Sequence, residues 1–282
     1  MHIPKTWLKI SADCFSRERG GTIPVTVWGW GDEAGEARRN AESRLDRLVK
    51  RLRLGEPPAD GYSYGDRPVR EEILDTFEGA GEGQPDAILT RNRYGAQVLN
   101  TAWMLFLDID LPPLTFMQRI RRLFSATTAG EDALALAKLR ENLQRLGDTT
   151  FRVYRTAAGL RAIAIDRRFD PRGSEAQVLM QATGTDACFA NLCRLQESFR
   201  ARLTPKPWRC GMPMPPGTYP HEDAMVQRRF VDWVVRYEQA SAKYATCRYL
   251  ETVGDGRCDA ATERLIAIHD RVTRCDAALP LA

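Results

Sequence analysis

The sequence predicts an α+β fold: a mostly antiparallel central sheet built from β-hairpins, with helices packed on it. Three observations predict it. Pairs of extended runs are joined by short polar or small-residue turns, intervening stretches repeat apolar residues every three or four positions, and no internal repeat or clean linker divides the chain. The composition, 43% apolar and 28% charged with 21 Gly and 16 Pro, is that of a globular protein able to bury a core without disulfides. Collagen-like, coiled-coil and wholly disordered readings are excluded. Residues 1–282 are read as one composite domain, with the Pro-rich stretch 205–220 as the alternative boundary.

The elements follow in order. Thr6 to Cys14 and Thr22 to Trp30 flank a polar Arg-Glu-Arg-Gly-Gly turn and predict the first hairpin. Ala37, Ala41, Leu45, Leu48 and Leu52 then fall three or four apart and Gly55 closes the stretch, which predicts a helix with its apolar face on that hairpin. Residues 56–70 read as an ordered loop whose tyrosines pack or serve function, and Glu72 to Phe77 as a short strand. AILTRNR and QVLNTAWMLFLDID, joined at Tyr94-Gly95, predict a second hairpin whose outgoing strand is nearly all apolar from Ala102 to Leu107. Helices are expected over 115–124 and 131–146. A third hairpin, FRVYRTAAGLRAIAID, should turn at Ala157, Ala158 and Gly159. Short helices at 174–180 and 187–196, a strand in SFRARLTP, a Pro-rich connector, a long amphipathic helix over 222–242, a strand in TCRYLETVG and a helix over 260–271 complete the chain.

The formal charge is +4, and 35 of the 41 cations are Arg, whose planar forks suit phosphates and carboxylates. A net charge this small is no nucleic-acid signature by itself. No run approaches signal-peptide or membrane-span length, so a cytoplasmic protein without a membrane partner is expected. Seven Cys without a regular framework read as thiols, and a zinc site from Cys210, Cys247, Cys258 and His269 has no spacing to ask for it. No Walker loop, nucleophile elbow or dinucleotide fingerprint is present.

Asp108 and Asp110 are the sharpest chemical feature. An apolar strand delivers them to its carboxyl end, and spacing by two puts both carboxylates on one face, close enough to share a divalent cation, Mg²⁺ or Mn²⁺. The alternative is a strand emerging into solvent with an Arg partner neutralising the pair. The hairpin downstream adds a donor-rich row, with Arg155 and Arg161 flanking a Thr156-to-Gly159 turn small enough to admit a phosphate. The alternative there is a charged hairpin edge. Trp28 and Trp30 either stack bases beside Arg38 and Arg39 or pack against the neighbouring helix. Lys206, Trp208 and Arg209, together in a loop, are the better phosphate-and-base candidates. His269, near the end of a helix, reads as a satisfied structural histidine.

The order WMLFLDID, helices, YRTAAGLR resembles the core of the archaeo-eukaryotic primase superfamily, the primase and primase-polymerase nucleotidyltransferases. The resemblance covers about residues 100–210. It implies that Asp108 and Asp110 bind catalytic metal and that Ala157, Gly159 and Arg161 occupy the small-x-Gly-x-His motif contacting the incoming nucleotide. Arg161 stands where the family has its histidine, and no strand end supplies a third acid; Asp166 and Asp170 are nearby but carry no motif. A haloacid-dehalogenase-type phosphatase shares the strand and Asp-x-Asp but wants Gly-Thr where this chain has Leu111-Pro112-Pro113. The resemblance therefore implies a divergent member with Asp108, Asp110 and Arg161 as catalytic candidates and Arg155, Thr156, Gly159, Lys206 and Arg209 as nucleotide or phosphate contacts. If it is an enzyme, the reaction is metal-dependent nucleotidyl or phosphoryl transfer. The alternatives are binding of nucleotide or nucleic acid without polymerisation, and a non-catalytic interaction or scaffold protein.

Overall fold

Alternation along the first thirty residues produces the hairpin the sequence predicts. In the computed structural model, which describes residues 1–56, 68–79, 85–111, 129–145 and 147–282, β1 (Thr6–Ser16) pairs antiparallel with β2 (Gly21–Gly31) over their full length. Helix α1 (Ala34–Leu54) buries Ala37, Ala41 and Leu52, and Leu52 meets Cys14 and Val25 in a small core. Burying side chains such as Val25 and Leu52 contributes roughly 1.5–3 kcal/mol each. Gly29 makes the close approach possible: a Cβ there would lie 2.2 Å from the carbonyl oxygen of Ala37 and 2.3 Å from the nitrogen of Ala41. Trp28 and Trp30 lie under the guanidinium groups of Arg70 and Arg44 at 4.7 and 4.6 Å, while Arg38 and Arg39 are exposed. This hairpin and helix belong to one compact unit, His2–Ile73.

The second unit, Leu74–Ala282 with Met1, holds two four-stranded sheets. One has the order β10-β7-β8-β6, from Cys247–Val253, Phe151–Thr156, Gly159–Ala164 and Phe106–Asp110. The other has the order β3-β4-β5-β9, from Glu72–Glu78, Pro85–Arg91, Gln97–Thr101 and Phe199–Arg202. The β10–β7, β7–β8, β8–β6, β4–β5 and β5–β9 pairings are antiparallel, so the α+β expectation holds.

One expectation is corrected. The outgoing strand of the second hairpin is two strands in two sheets: β5 stops at Thr101, whose hydroxyl accepts from the amides of Trp103 and Met104, and β6 starts at Phe106. Residues 104–107 are all 0% exposed because the apolar run crosses between the sheets, so its lack of alternation marks the crossing as well as a doubly covered strand.

Five helices accompany the sheets among the described residues: α2 (Ala129–Arg145), α3 (Ser174–Thr183), α4 (Ala187–Gln196), α5 (Ala224–Ser241) and α6 (Ala260–Thr273). Asp186, Asp223 and Asp259 cap α4, α5 and α6 by accepting from first-turn amides, which is why those helices start where they do. The helix expected over 115–124, most of the loop over 56–70 and Pro112-Pro113 lie outside the described residues. Residues 205–220 fall within the larger unit, where Pro207–Cys210 forms one 3₁₀ turn. No helix among the described residues is long and apolar enough to cross a membrane.

The amphipathic face of α5 positions two loops. Its Trp233 and Tyr237 stack at 4.9 Å; Trp233 Nε1–H donates to the Pro213 carbonyl at 3.0 Å, and the Tyr237 hydroxyl reaches Pro205 O at 2.6 Å. The same Trp233 ring lies 2.3 Å from where a Gly95 Cβ would be, so the β4–β5 turn must carry glycine there, at φ +81°. One indole thus fixes both the Tyr94 turn and the segment leading from the 3₁₀ turn.

Candidate functional site

The register of the β6–β8 pair sets Asp108 directly opposite Arg161. The guanidinium closes on the carboxylate as a fork, Nε–Oδ1 2.7 Å and Nη2–Oδ2 3.1 Å. Asp108 is 39% exposed and Arg161 only 2%, so the cation comes from below and the carboxylate faces outward. Asp110, two residues on, is exposed, and among the described residues no ion pair joins it.

Arg161 is the head of a buried chain of polar contacts. Its Nη1 donates to the Arg202 carbonyl at 3.1 Å and to His269 Nε2 at 3.3 Å. A guanidinium only donates, so His269 Nε2 accepts and the ring proton sits on Nδ1, which donates to Asp270 Oδ1 at 2.8 Å. The Tyr154 hydroxyl donates to the same oxygen at 2.8 Å, and Arg152 Nη2 to Asp270 Oδ2 at 2.7 Å. Two carboxylates, two guanidiniums and a neutral imidazole therefore balance in charge, which lets the group lie largely out of water. Burial, opposed by the hydrogen bond to Asp270 and joined by the Arg161 charge, pushes the His269 pKa below the ordinary histidine value. Burial acts to raise the Asp270 pKa, but the hydrogen bonds from His269 and Tyr154 and the charge of Arg152 hold it below the usual carboxylate value. Burial, with Asp270 beside it, pushes the Tyr154 phenol up.

The third hairpin turn satisfies itself. Thr156 Oγ1 accepts from Gly159 N–H at 3.0 Å, Arg155 Nη1 donates to the Gly159 carbonyl at 2.5 Å, and Leu111 N–H donates to Ala158 O at 3.0 Å. A Cβ on Gly159 would meet Ile109 O at 1.9 Å, so the small residue admits the neighbouring strand β6. Arg155, Thr156 and Gly159 thus have partners within the turn itself. Asp166 and Asp170 are engaged likewise, accepting from the amides of Thr150 and Arg172.

The Lys206–Arg209 turn comes close to the strand end from the other sheet. Trp208 is 51% exposed and meets Tyr94 edge-on, centroids 5.5 Å apart at 87°. Lys206 Nζ sits 5.4 Å from the Trp208 ring; Arg93 lies 4.7 Å from the Tyr94 ring and donates to its hydroxyl. Burial, then the charges of Arg202 and Arg209, lower the Lys206 pKa, against the opposing pull of Tyr94 and Asp110. Burial and the charges of Arg161 and Arg209 bring Arg202 down to about 10, still protonated at neutral pH. Three cations thus crowd one another beside an exposed indole. Among the described residues no ion pair to a carboxylate joins Lys206 or Arg209.

The structure therefore brings Asp108, Asp110, Arg161, Lys206 and Arg209 into one neighbourhood, within reach of one another's fields. Tyr94, Arg93 and Arg202 belong to it and were not singled out by sequence reasoning; an aromatic beside Arg in a tight Asn-Arg-Tyr-Gly turn was the available signal for the first two. Among the described residues the donor set does not fit a divalent cation. Both oxygens of Asp108 are held by a guanidinium, Asp110 stands alone, and among the described residues no three His, Cys, Asp or Glu side chains group as ligands. All seven cysteines are unbridged, and Cys210, Cys247, Cys258 and His269 form no such group either. No family model, curated protein or solved structure matches the chain.

Proposed function

We propose that this chain is a divergent relative of the primase-type core that binds nucleotide or single-stranded nucleic acid without transferring phosphoryl groups. The observation that carries the reading is the half-exposed Trp208, set edge-on to Tyr94 and flanked by Lys206 and Arg209, whose charges repel one another. A cation cluster that no ion pair joins among the described residues is relieved by a polyanion, and an open indole face is a stacking surface for any base. Support for the lineage comes from the strand order: the Asp-x-Asp strand β6 pairs with β8, and the β7–β8 turn abuts the end of β6. The fork on Asp108 argues against catalysis, since two-metal phosphoryl transfer needs at least two carboxylates open to metal. That same fork suits a scaffold protein, but a scaffold does not call for the Lys206–Arg209 cluster.

The test is fluorescence anisotropy with a labelled oligothymidylate. Trp208→Ala should weaken binding by about 5–150-fold, the worth of one stacked base. Lys206→Gln with Arg209→Gln should flatten the dependence of log K on log salt by about 1.4, roughly 0.7 for each single-strand phosphate left without its cation. Unchanged affinity and salt slope in both variants would refute the reading.

A further inference from the structure

We infer that Arg161 is a built-in counter-ion that takes the place of a divalent cation at Asp108, so that ligand binding on the adjacent Trp208 surface needs no divalent metal. The ligand half of this inference rests on the nucleic-acid reading; the counter-ion half does not.

The argument begins with register. Antiparallel pairing places Arg161 opposite Asp108, and the planar fork meets both carboxylate oxygens at 2.7 and 3.1 Å. A surface arginine in that position would exchange readily with solvent cations. This one is 2% exposed, and its remaining nitrogen is anchored on the Arg202 carbonyl and His269 Nε2. Swinging it aside would leave His269 and the Arg202 carbonyl without their donor inside the core. Its charge is also permanent, because a guanidinium does not deprotonate in proteins. A divalent cation approaching Asp108 therefore meets a fixed positive charge already seated on its ligand. Asp110 alone offers too few oxygens for a cation that takes six or more.

Arg161 also acts on the binding surface as a positioning residue. Its bond to the Arg202 carbonyl ties β8, in one sheet, to the end of β9, in the other, immediately before the segment that carries Lys206, Trp208 and Arg209. The guanidinium whose Nε and Nη2 occupy the Asp108 oxygens thus also ties down, through Nη1, the strand end that leads into the cationic turn. Positive charge reaches the ligand from side chains, where an Asp-x-Asp site would bring it on an ion.

The experiment has two arms on the full chain. In the first, Mn²⁺ binding is followed by electron paramagnetic resonance. The wild type should show no stoichiometric site at sub-millimolar Mn²⁺. Arg161→Gln and Arg161→His, which vacate Asp108, should each gain a site at least about tenfold tighter, abolished again on adding Asp110→Asn. A merely structural arginine would produce no such gain, so folded variants without it overturn the inference. So does a tight wild-type site abolished by Asp108→Asn. If circular dichroism shows that neither Arg161 variant folds, the wild-type titration alone decides in the same terms. In the second arm, oligothymidylate binding is compared in EDTA and in Mg²⁺ or Mn²⁺ at fixed ionic strength. Equal affinity supports the inference, and binding that requires the metal overturns it. No oligonucleotide binding in any condition overturns the ligand half together with the reading it rests on, while the Mn²⁺ arm still judges the counter-ion.

Discussion

Acidification should destabilise this protein through His269 before its carboxylates titrate. The imidazole is 0% exposed, receives a hydrogen bond from Arg161 on Nε2 and gives one to Asp270 from Nδ1. A second ring proton would have to sit on Nε2, facing a guanidinium nitrogen 3.3 Å away. Burial and that charge depress the folded-state pKa, whereas the unfolded chain titrates near the ordinary 6.5. The unfolded state therefore binds more protons once pH falls below about 6.5, and stability present at neutral pH is lost down to the folded pKa. One proton is worth about 1.4 kcal/mol per pH unit, so acidification to pH 5 removes up to about 2 kcal/mol. Urea unfolding measured between pH 7.5 and pH 5, about the range in which a histidine titrates, reads this directly. His269→Gln offers Arg161 an amide oxygen and Asp270 an amide N–H, and it does not titrate. The difference in pH dependence between the two proteins cancels the groups that His269 does not touch, and Asp270, which it does touch, contributes only in a lower window. Equal slopes below pH 6.5 in wild type and variant, or a wild type that gains stability on acidification relative to the variant, would refute the assignment of a neutral, buried His269. Asp270 contributes in a separate, lower window: its depressed pKa supplies stability that is lost as pH falls below about 3.9.

Asp108→Leu should cost about 3–5 kcal/mol in urea unfolding, because it strands a buried guanidinium, whereas Asp108→Leu with Arg161→Met should recover most of that loss. Gly159→Ala should destabilise by about 1–3 kcal/mol or more, since its Cβ would lie 1.9 Å from a backbone oxygen of β6 that no rotamer change can move. The same measurement on Gly29→Ala should show a similar loss confined to the unit of residues 2–73, checked by hydrogen exchange of the β1–β2 amides. Trp233→Ala should cost about 3–5 kcal/mol and also weaken oligothymidylate binding, although it removes no cation, because Trp233 holds the Gly95 turn and Pro213.

The elements were legible where local pattern and burial agree. The α1 periodicity, the Arg-Glu-Arg-Gly-Gly turn and the small turn of the third hairpin each produce the structure they imply. The crossing at residues 102–105 was not legible, because an apolar run reads the same whether it continues one sheet or passes to another. The Lys206–Trp208–Arg209 turn was legible as chemistry, but its partner Tyr94 lies more than a hundred residues upstream. The two meet because α5 clamps both loops with one indole, a relation no local pattern carries. Likewise His269 and Asp270 read as a helix end; that they complete a chain from Arg152 to Asp108 depends on which strands flank β8.

The Asp-x-Asp strand end shows why a motif states a geometry and leaves the chemistry open. Spacing by two puts Asp108 and Asp110 on one face, and two like charges so placed need a metal, an arginine or water. The register of β8 places an arginine, residue 161, opposite residue 108. With arginine there, anchored on Arg202 and His269, the negative charge is met inside the protein, and the remaining positive charge gathers at Lys206 and Arg209. The strand end then carries one neutralised carboxylate and one exposed one, with an exposed Trp208 on the turn beside it.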